Sequence, residues 1–175
     1  MQFSVGQTVI HPHHGPAKVT GLVSRTIKGN VIEYVNLEVK ASGMGVSVPL
    51  ATAGEVGIRE VAEACDLVRL TDVLRAESGP EETKWARRVK NQRIELATGD
   101  PVRIAAVVRD LVRRREGKGL SLAEKEMLRE GAEPLVAEIA LAVNSSEEQA
   151  QEVLETIVME RSDEVLRRLG LLSAA

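Results

Sequence analysis

The segment KWARRVK, residues 84–90, contains the only tryptophan of this 175-residue chain together with four basic side chains. An aromatic ring can stack on an exposed base or enter the minor groove as an apolar wedge, while neighbouring cations bind phosphates. Spacing also permits a structural use, because Trp85, Val89 and Leu96 would share one face of a helix. The residues therefore leave two uses open for Trp85: a nucleic-acid wedge, or the start of a buried stripe.

Positive charge is concentrated around this segment. From Lys84 to Arg115 the chain carries ten Lys and Arg residues against three acidic ones, a net +7, although the formal net charge of the whole chain is -3. Such a separation of charge favours contact between this region and a polyanion such as nucleic acid. The alternative is that the cations coat solvated helix faces and pair with nearby acids.

The sequence lacks the residue patterns that a metal-binding or catalytic site would need. The HPHH segment supplies His11, His13 and His14, but Cys65 is the only thiol, and turn chemistry explains the segment without a metal. The chain has no G-x-S-x-G context for a nucleophile and no glycine-rich phosphate loop. We therefore predict a protein that is not an enzyme and that uses no metal and no cofactor.

Composition predicts a globular chain with a core, since 43% of the residues are hydrophobic and 28% are charged. The lone Cys65 cannot form an internal disulfide, and the start MQFSVGQTVI lacks the features of a signal peptide. No stretch approaches the roughly 18 apolar residues that cross a bilayer. We expect a cytoplasmic protein without membrane contact, and a monomer, because no heptad array demands a dimer.

The elements that position these residues change in character along the chain. Residues 1–50 predict four or five short strands, including PAKVTGLVS and VIEYVNLEV, separated by the turn segments HPHHGPA and IKGN. Strands of this length and spacing fit a small antiparallel barrel of the Tudor or SH3 kind. An edge strand of such a barrel can accept a partner's strand.

From about residue 62 the apolar period becomes helical. We predict helices over 61–75 and 83–98, then from the Asp100 N-cap to about residue 118, from the Ser121/Glu124 capping box to about Val143, and from the Ser146/Gln149 capping box to about Gly170. The predicted class is α+β, a small β-barrel followed by an all-α domain. Its predicted divisions are the barrel at 1–60, a connecting helix and linker at 61–82, the helical domain at 83–170 and a tail at 171–175.

Several segments, in this order and with nearly unchanged spacing, carry a family resemblance: VGQTVIHPHHGPAKV, SRTIKG, VPLATAGEVGIREV, KWARRVKNQRIELATGD and VVRDLVRRREGKGLSLAEKEML. Over about residues 1–160 the chain resembles the bacterial CarD transcription regulators, also called the CdnL group. The resemblance implies an N-terminal Tudor-like module that binds the β subunit of RNA polymerase. It also implies a helical domain that contacts promoter DNA at the upstream fork of the transcription bubble and stabilises the open complex.

The same resemblance assigns residues to the DNA contact. It implies that Trp85 is the minor-groove wedge and that Arg87 and Lys90 contact phosphates, with Arg88 as a further candidate. Val89 departs from the pattern, because relatives often have an aromatic residue there, so stacking beside the wedge would be poorer.

On the polymerase side, the resemblance implies that Arg25 and Ile27 lie in the contacting segment. Ser47 stands where related members often carry an arginine. If that arginine makes a charge-assisted hydrogen bond, its loss would weaken docking by about 1.5 to 3 kcal/mol.

Two other functions fit the residues without a polymerase-bound wedge. One is a protein-protein adaptor with a Tudor-like module and a buried Trp85. The other is an architectural DNA-binding protein that works without polymerase.

Overall fold

The computed structural model describes residues 2–61 and 64–161. The chain divides into two compact units, Met1–Val61 and Ala62–Ala175. The first consists mainly of antiparallel strands and the second consists of helices, which confirms the predicted α+β class.

The first unit is a single five-stranded antiparallel sheet in the order β4-β3-β2-β1-β5. Its strands are β1 Thr8–His11, β2 Gly15–Ile27, β3 Asn30–Val39, β4 Gly45–Pro49 and β5 Arg59–Glu60. A 3-10 turn, Leu50–Thr52, and a short helix α1, Ala53–Val56, lead from β4 towards β5. The core side of the sheet is formed by small and branched residues, with Val9, Val19, Val35, Leu37 and Val48 all buried.

The hairpin between β2 and β3 has a tight reversal within IKGN, but its turn residues are Lys28 and Gly29 and not the predicted Gly29 and Asn30, since β3 begins at Asn30. Lys28 and Gly29 both have positive φ, 51° and 82°, as the two-residue turn of a twisted hairpin requires, and Ile27 pairs with Asn30. Further down the hairpin the register shifts between Val19 and Gly21, which marks a β-bulge. Because side chains alternate along a strand, the extra residue moves every later odd-numbered position of β2 to the face opposite the core.

The second unit contains α2 Ala64–Arg75, α3 Trp85–Ala97, α4 Pro101–Lys118, α5 Leu122–Val143 and α6 Glu147–Glu160. The predicted caps are confirmed. Asp100 accepts from the backbone amides of Val102 and Arg103, and both capping boxes are formed. Helix α6 ends at Glu160, after which Arg161 is left-handed with φ 55°, and the rest of the helix predicted to reach Gly170 lies outside the described residues.

The helices share one core, in which the α4 residues Val108 and Leu111 are fully buried. Helix α2 contributes Leu67, Leu70 and Leu74 to this core. Most of the segment predicted as a separate connecting helix is therefore packed into the helical unit, because its apolar stripe is covered by α4 and α6.

Helices α3 and α5 approach closely at Gly131. A Cβ atom there would lie 2.9 Å from Leu96 Cδ2 and 3.1 Å from Val108 Cγ2. Contacts this short force neighbouring side chains to move, so glycine permits the close packing that fixes α3 on the body of the unit.

Candidate functional site

Trp85 is the first residue of α3, and 52% of its surface is exposed. It shares a face with Val89, which packs against the core, and with Leu96, which is buried, as the spacing predicted. The ring thus continues the apolar stripe beyond the covered part of the helix. Its indole Nε1 donates to the Ser121 hydroxyl oxygen at 3.2 Å.

Ser121 connects the indole to a buried ion pair. As the N-cap of α5, its hydroxyl donates to Glu124 Oε2 at 2.7 Å and its backbone amide donates to the same oxygen at 2.9 Å. The other carboxylate oxygen, Glu124 Oε1, accepts from Arg88 Nε at 2.9 Å. Arg88 lies one turn after Trp85 on α3, so the chain of contacts returns to the helix that carries the ring.

Glu124 is held ionised at this position although it is only 1% exposed. Burial alone would raise the pKa of this carboxyl, but hydrogen bonds from Ser121 and the charge and hydrogen bond of Arg88 outweigh it, so the pKa lies below its ordinary value. The carboxylate is therefore a fixed acceptor for both partners.

The structure separates Arg88 from the other predicted DNA contacts. Its side chain is buried, and the guanidinium is occupied by Glu124 and by the backbone carbonyl of Glu82, which accepts from Nη1 at 2.9 Å. Helical spacing alone could not reveal this, because the partner carboxylate lies 36 residues away.

Most of the other arginines in the basic segment also have structural partners. Arg103 pairs with Glu95, Arg109 with Asp110, Arg114 with Glu81 and Glu124, and Arg115 with Glu155. Arg113 donates to the backbone carbonyls of Leu74, Arg75, Ala76 and Val158. The net charge of this segment thus overstates the cations available to a partner.

Four cations remain exposed on α3 and its N-cap: Lys84, Arg87, Lys90 and Arg93. Arg87 has 61% of its side chain exposed and makes one surface ion pair, with Glu82 at 3.4 Å. At about 100° per residue, Arg87 and Lys90 lie roughly 140° to 160° around the helix axis from Trp85. The ring and these two predicted contacts therefore occupy different sides of the same first turns.

Two further exposed residues follow the serine that contacts Trp85, and the sequence did not predict them as part of the site. Leu122 and Lys125 are exposed in the first turn of α5, immediately after the serine that accepts from the indole. Leu122 is 75% exposed, the highest value among the large hydrophobic residues of the described chain. The Ser121/Glu124 capping box predicts that Leu122 and Lys125 lie at the start of a helix. No sequence signal, however, predicts that Trp85 contacts Ser121.

In the sheet unit, the three predicted polymerase contacts lie on one face. The bulge turns Arg25 and Ile27 away from the core, and Ser47 on β4 pairs with Asn36, whose side chain faces the same way. Arg25 lies over the ring of Tyr34, 5.2 Å from its centroid. The Ser47 hydroxyl donates to Asn36 Oδ1 at 2.7 Å. We call this surface the outer face of the sheet.

The histidines of the HPHH turn are packed together. His11 is 7% exposed and its ring stacks on that of His14, with centroids 4.6 Å apart. Burial, then the neighbouring charges of His14 and His13, lower the pKa of His11 to about 4. Within the described residues, no cluster of three or more His, Cys, Asp or Glu side chains could hold a metal ion.

None of the helices in the described part of the chain is long and apolar enough to cross a membrane.

Sequence comparison agrees with the division of the chain into a sheet unit and a helical unit. The family model "CarD-like/TRCF RID domain" matches residues 3–62, and "CarD, C-terminal domain" matches residues 69–155. The chain belongs to the CarD family. It is 25% identical over 147 residues to the "Putative transcription factor YdeB" of Bacillus subtilis (strain 168), which covers 84% of this chain and 96% of that protein.

Proposed function

We propose that this transcription regulator binds the β subunit of RNA polymerase through its sheet unit and promoter DNA at the upstream fork through its helical unit, stabilising the open complex with a Trp85 wedge. It works where the polymerase does, in the bacterial cytoplasm, as a monomer. The observation that carries the proposal is the half-exposed indole at the start of α3, flanked by exposed cations. An adaptor with a buried Trp85 is not favoured by this exposure.

The geometry of α3 restricts how DNA can approach. Because Arg87 and Lys90 lie on a different side of the helix from the ring, a duplex lying along one side could not contact all three. An approach to the N-terminal end of α3 would bring the ring and the flanking cations to the DNA together. Lys84 caps that end without a side-chain hydrogen bond, whereas α4, α5 and α6 each have a side-chain cap. The positive end of a helix is a suitable neighbour for phosphate.

The proposed roles of the four predicted DNA residues differ. Trp85 enters the groove, and Arg87 and Lys90 bind phosphates. Arg87 must first leave its surface pair with Glu82, an exchange that costs little for an exposed pair. Arg88 holds Glu124 and is not available to a phosphate.

Stabilisation of the open complex follows from differential binding. A factor shifts the equilibrium between closed and open promoter only if it binds one state more tightly. Inserting an apolar side chain into stacked duplex costs a few kcal/mol of unstacking, whereas polymerase has already distorted the groove at the bubble edge. Each 1.4 kcal/mol of preference corresponds to about a tenfold change in the ratio of open to closed complexes.

The outer face of the sheet is the proposed polymerase contact. Arg25 and Ile27 present a cation and an apolar side chain from neighbouring positions of β2, and Ile27 is 43% exposed. Ser47 is engaged with Asn36 and brings no charge to this face. We therefore expect Ser47→Arg to strengthen binding to polymerase and Arg25→Glu to weaken it, as measured by retention of polymerase on immobilised protein.

The test is the lifetime of open complexes formed by a cognate bacterial polymerase on a ribosomal RNA promoter. Wild-type protein should lengthen the lifetime, and Trp85→Ala should lose most of that gain while still binding polymerase. Met159→Ala is the matched control, because Met159 is a large apolar residue, 48% exposed, that lies on α6 and outside the proposed DNA contact. No effect of wild-type protein, or equal losses from both variants, would overturn the wedge.

Fluorescence of the only tryptophan separates the wedge from the adaptor. The wedge predicts emission shifted towards that of indole in water and quenched by fork DNA. Emission that neither DNA nor salt changes would favour the adaptor. Retention of polymerase by the full chain would count against an architectural DNA binder that works without it.

A further inference from the structure

The indole of Trp85 donates to a chain of hydrogen bonds that begins at the surface with Ser121, the N-cap of α5, and ends at the buried pair of Glu124 and Arg88. It donates to Ser121, the Ser121 hydroxyl donates to Glu124 Oε2, and Glu124 Oε1 accepts from Arg88. An exposed tryptophan that makes no polar contact can turn about two side-chain torsions. Here the ring nitrogen donates to the N-cap side chain of a second helix, which favours one orientation of the exposed ring.

We infer that Ser121, Glu124 and Arg88 form a positioning network that holds the exposed Trp85 ring ready to enter a DNA groove. This inference rests on the proposed function, because it explains how the wedge is aimed. All three are positioning residues, since they act through the ring and need not touch DNA themselves.

The hydrogen bonds that Ser121 makes with Glu124 and Trp85 support this role. Its proton is given to Glu124 Oε2 at 2.7 Å, so the hydroxyl oxygen presents a lone pair to Trp85 Nε1. Glu124 cannot turn away, because it is 1% exposed and accepts from Ser121 on one oxygen and from Arg88 on the other. The acceptor for the indole is thereby fixed from both sides.

Helix capping alone does not account for this arrangement. The capping box of α6 has the same pattern with Ser146 and Gln149, but both residues are exposed, and the two hydrogen bonds of this box connect residues only three positions apart in the chain. At α5 the third position is a buried glutamate, and the serine accepts from a residue 36 positions away. The two boxes therefore provide a matched pair, one with the anchored ring and one without it.

The experiment compares Ser121→Ala, Ser121→Thr and Ser146→Ala in the full-length protein. Both alanine variants lose an N-cap and should lower the unfolding midpoint, Ser121→Ala the more, because it also removes the hydroxyl that donates to the buried Glu124 carboxylate. Only Ser121→Ala should free the ring, which the single tryptophan reports as a faster fluorescence anisotropy decay in the free protein. It should also reduce the gain in open-complex lifetime by about two- to tenfold, since an ordered side chain pays less entropy on binding. Ser121→Thr keeps the hydroxyl and should behave as wild type.

The outcomes are distinguishable. An unchanged anisotropy decay in Ser121→Ala, or an equally faster decay in Ser146→Ala, would overturn the positioning network. If Trp85→Ala shortens the open-complex lifetime and Ser121→Ala does not, the wedge stands and the network falls. If Trp85→Ala has no effect, the proposed function fails, while the anisotropy decay of the free protein still decides whether the ring is anchored.

Discussion

Replacing Arg113 by lysine should destabilise the helical unit while preserving its charge. The Arg113 guanidinium donates to Ala76 O at 2.7 Å and to Leu74 O at 3.2 Å near the end of α2. It also donates through Nε and Nη2 to Val158 O, at 3.2 and 3.1 Å, in the last turn of α6. Carbonyls at helix ends have no partner within their own helix, so one planar side chain satisfies two helix ends at once.

The expected loss can be estimated from these bonds. A hydrogen bond to a charged group contributes about 1.5 to 3 kcal/mol, and a buried carbonyl left without a donor costs about 1 to 3 kcal/mol. Lysine has three donors on one atom and cannot reach both helix ends as the guanidinium fork does. We therefore expect Arg113→Lys to lower the free energy of unfolding by about 2 kcal/mol.

Urea unfolding followed by Trp85 emission measures this loss, because Trp85 belongs to the helical unit. Arg115→Lys is the control. Arg115 also connects α4 to α6, but through a partly exposed pair with Glu155, so its loss should stay below about 1 kcal/mol. If Arg113→Lys unfolds like wild type and instead binds DNA more weakly, Arg113 is a phosphate contact and its structural assignment is wrong.

Three further predictions concern separate parts of the chain. Gly131→Val should lower the unfolding free energy by about 1 to 3 kcal/mol, since its Cβ would lie 2.9 Å from Leu96 Cδ2, and a wild-type thermal midpoint would contradict this. Leu122→Ala should leave stability within about 0.5 kcal/mol of wild type but shorten the open-complex lifetime if Leu122 contacts DNA beside the wedge. His11 has a pKa of about 4 in the fold, so the unfolded chain binds the proton first and stability falls as pH drops from 7 to 5. His11→Asn should remove about 2 kcal/mol of this loss of unfolding free energy, as measured by urea unfolding followed by the fluorescence of Tyr34. An unchanged pH dependence in this variant would show that His11 is not its cause.

Local chemistry predicted the elements well. Asp100, Ser121 and Ser146 each lie at the start of a helix, and the amides they accept from are two or three residues away in the sequence. The Lys28 and Gly29 reversal is equally local. Signals of this kind are complete within four or five residues, so they can be read without knowing the tertiary structure.

Long-range contacts explain what could not be predicted. From the sequence, Arg88 is a further candidate for the DNA contact in KWARRVK, and only the packing of α5 against α3 reveals its partner Glu124. On β2, simple alternation from Val19 would turn Arg25 towards the core, and the bulge before Gly21 reverses that. In both cases the contact that decides the side chain's position is made with another segment of the chain, α5 for Arg88 and β3 for the bulge.

The distribution of free cations makes a final prediction about salt. Binding to duplex DNA releases counterions, and the logarithm of the affinity falls with that of the salt concentration with a slope of about -0.9 per phosphate contact. The four exposed cations of α3 and its N-cap would give a slope no steeper than about -4, whereas all ten cations of the basic segment would give about -9. Affinity for a fork-junction DNA, measured by Trp85 quenching between about 50 and 200 mM salt, separates the two. A slope steeper than about -6 would mean that arginines now paired with Glu81, Glu124 or Glu155 open to reach phosphates, and the structural pairing of the basic segment would then be a state that DNA displaces.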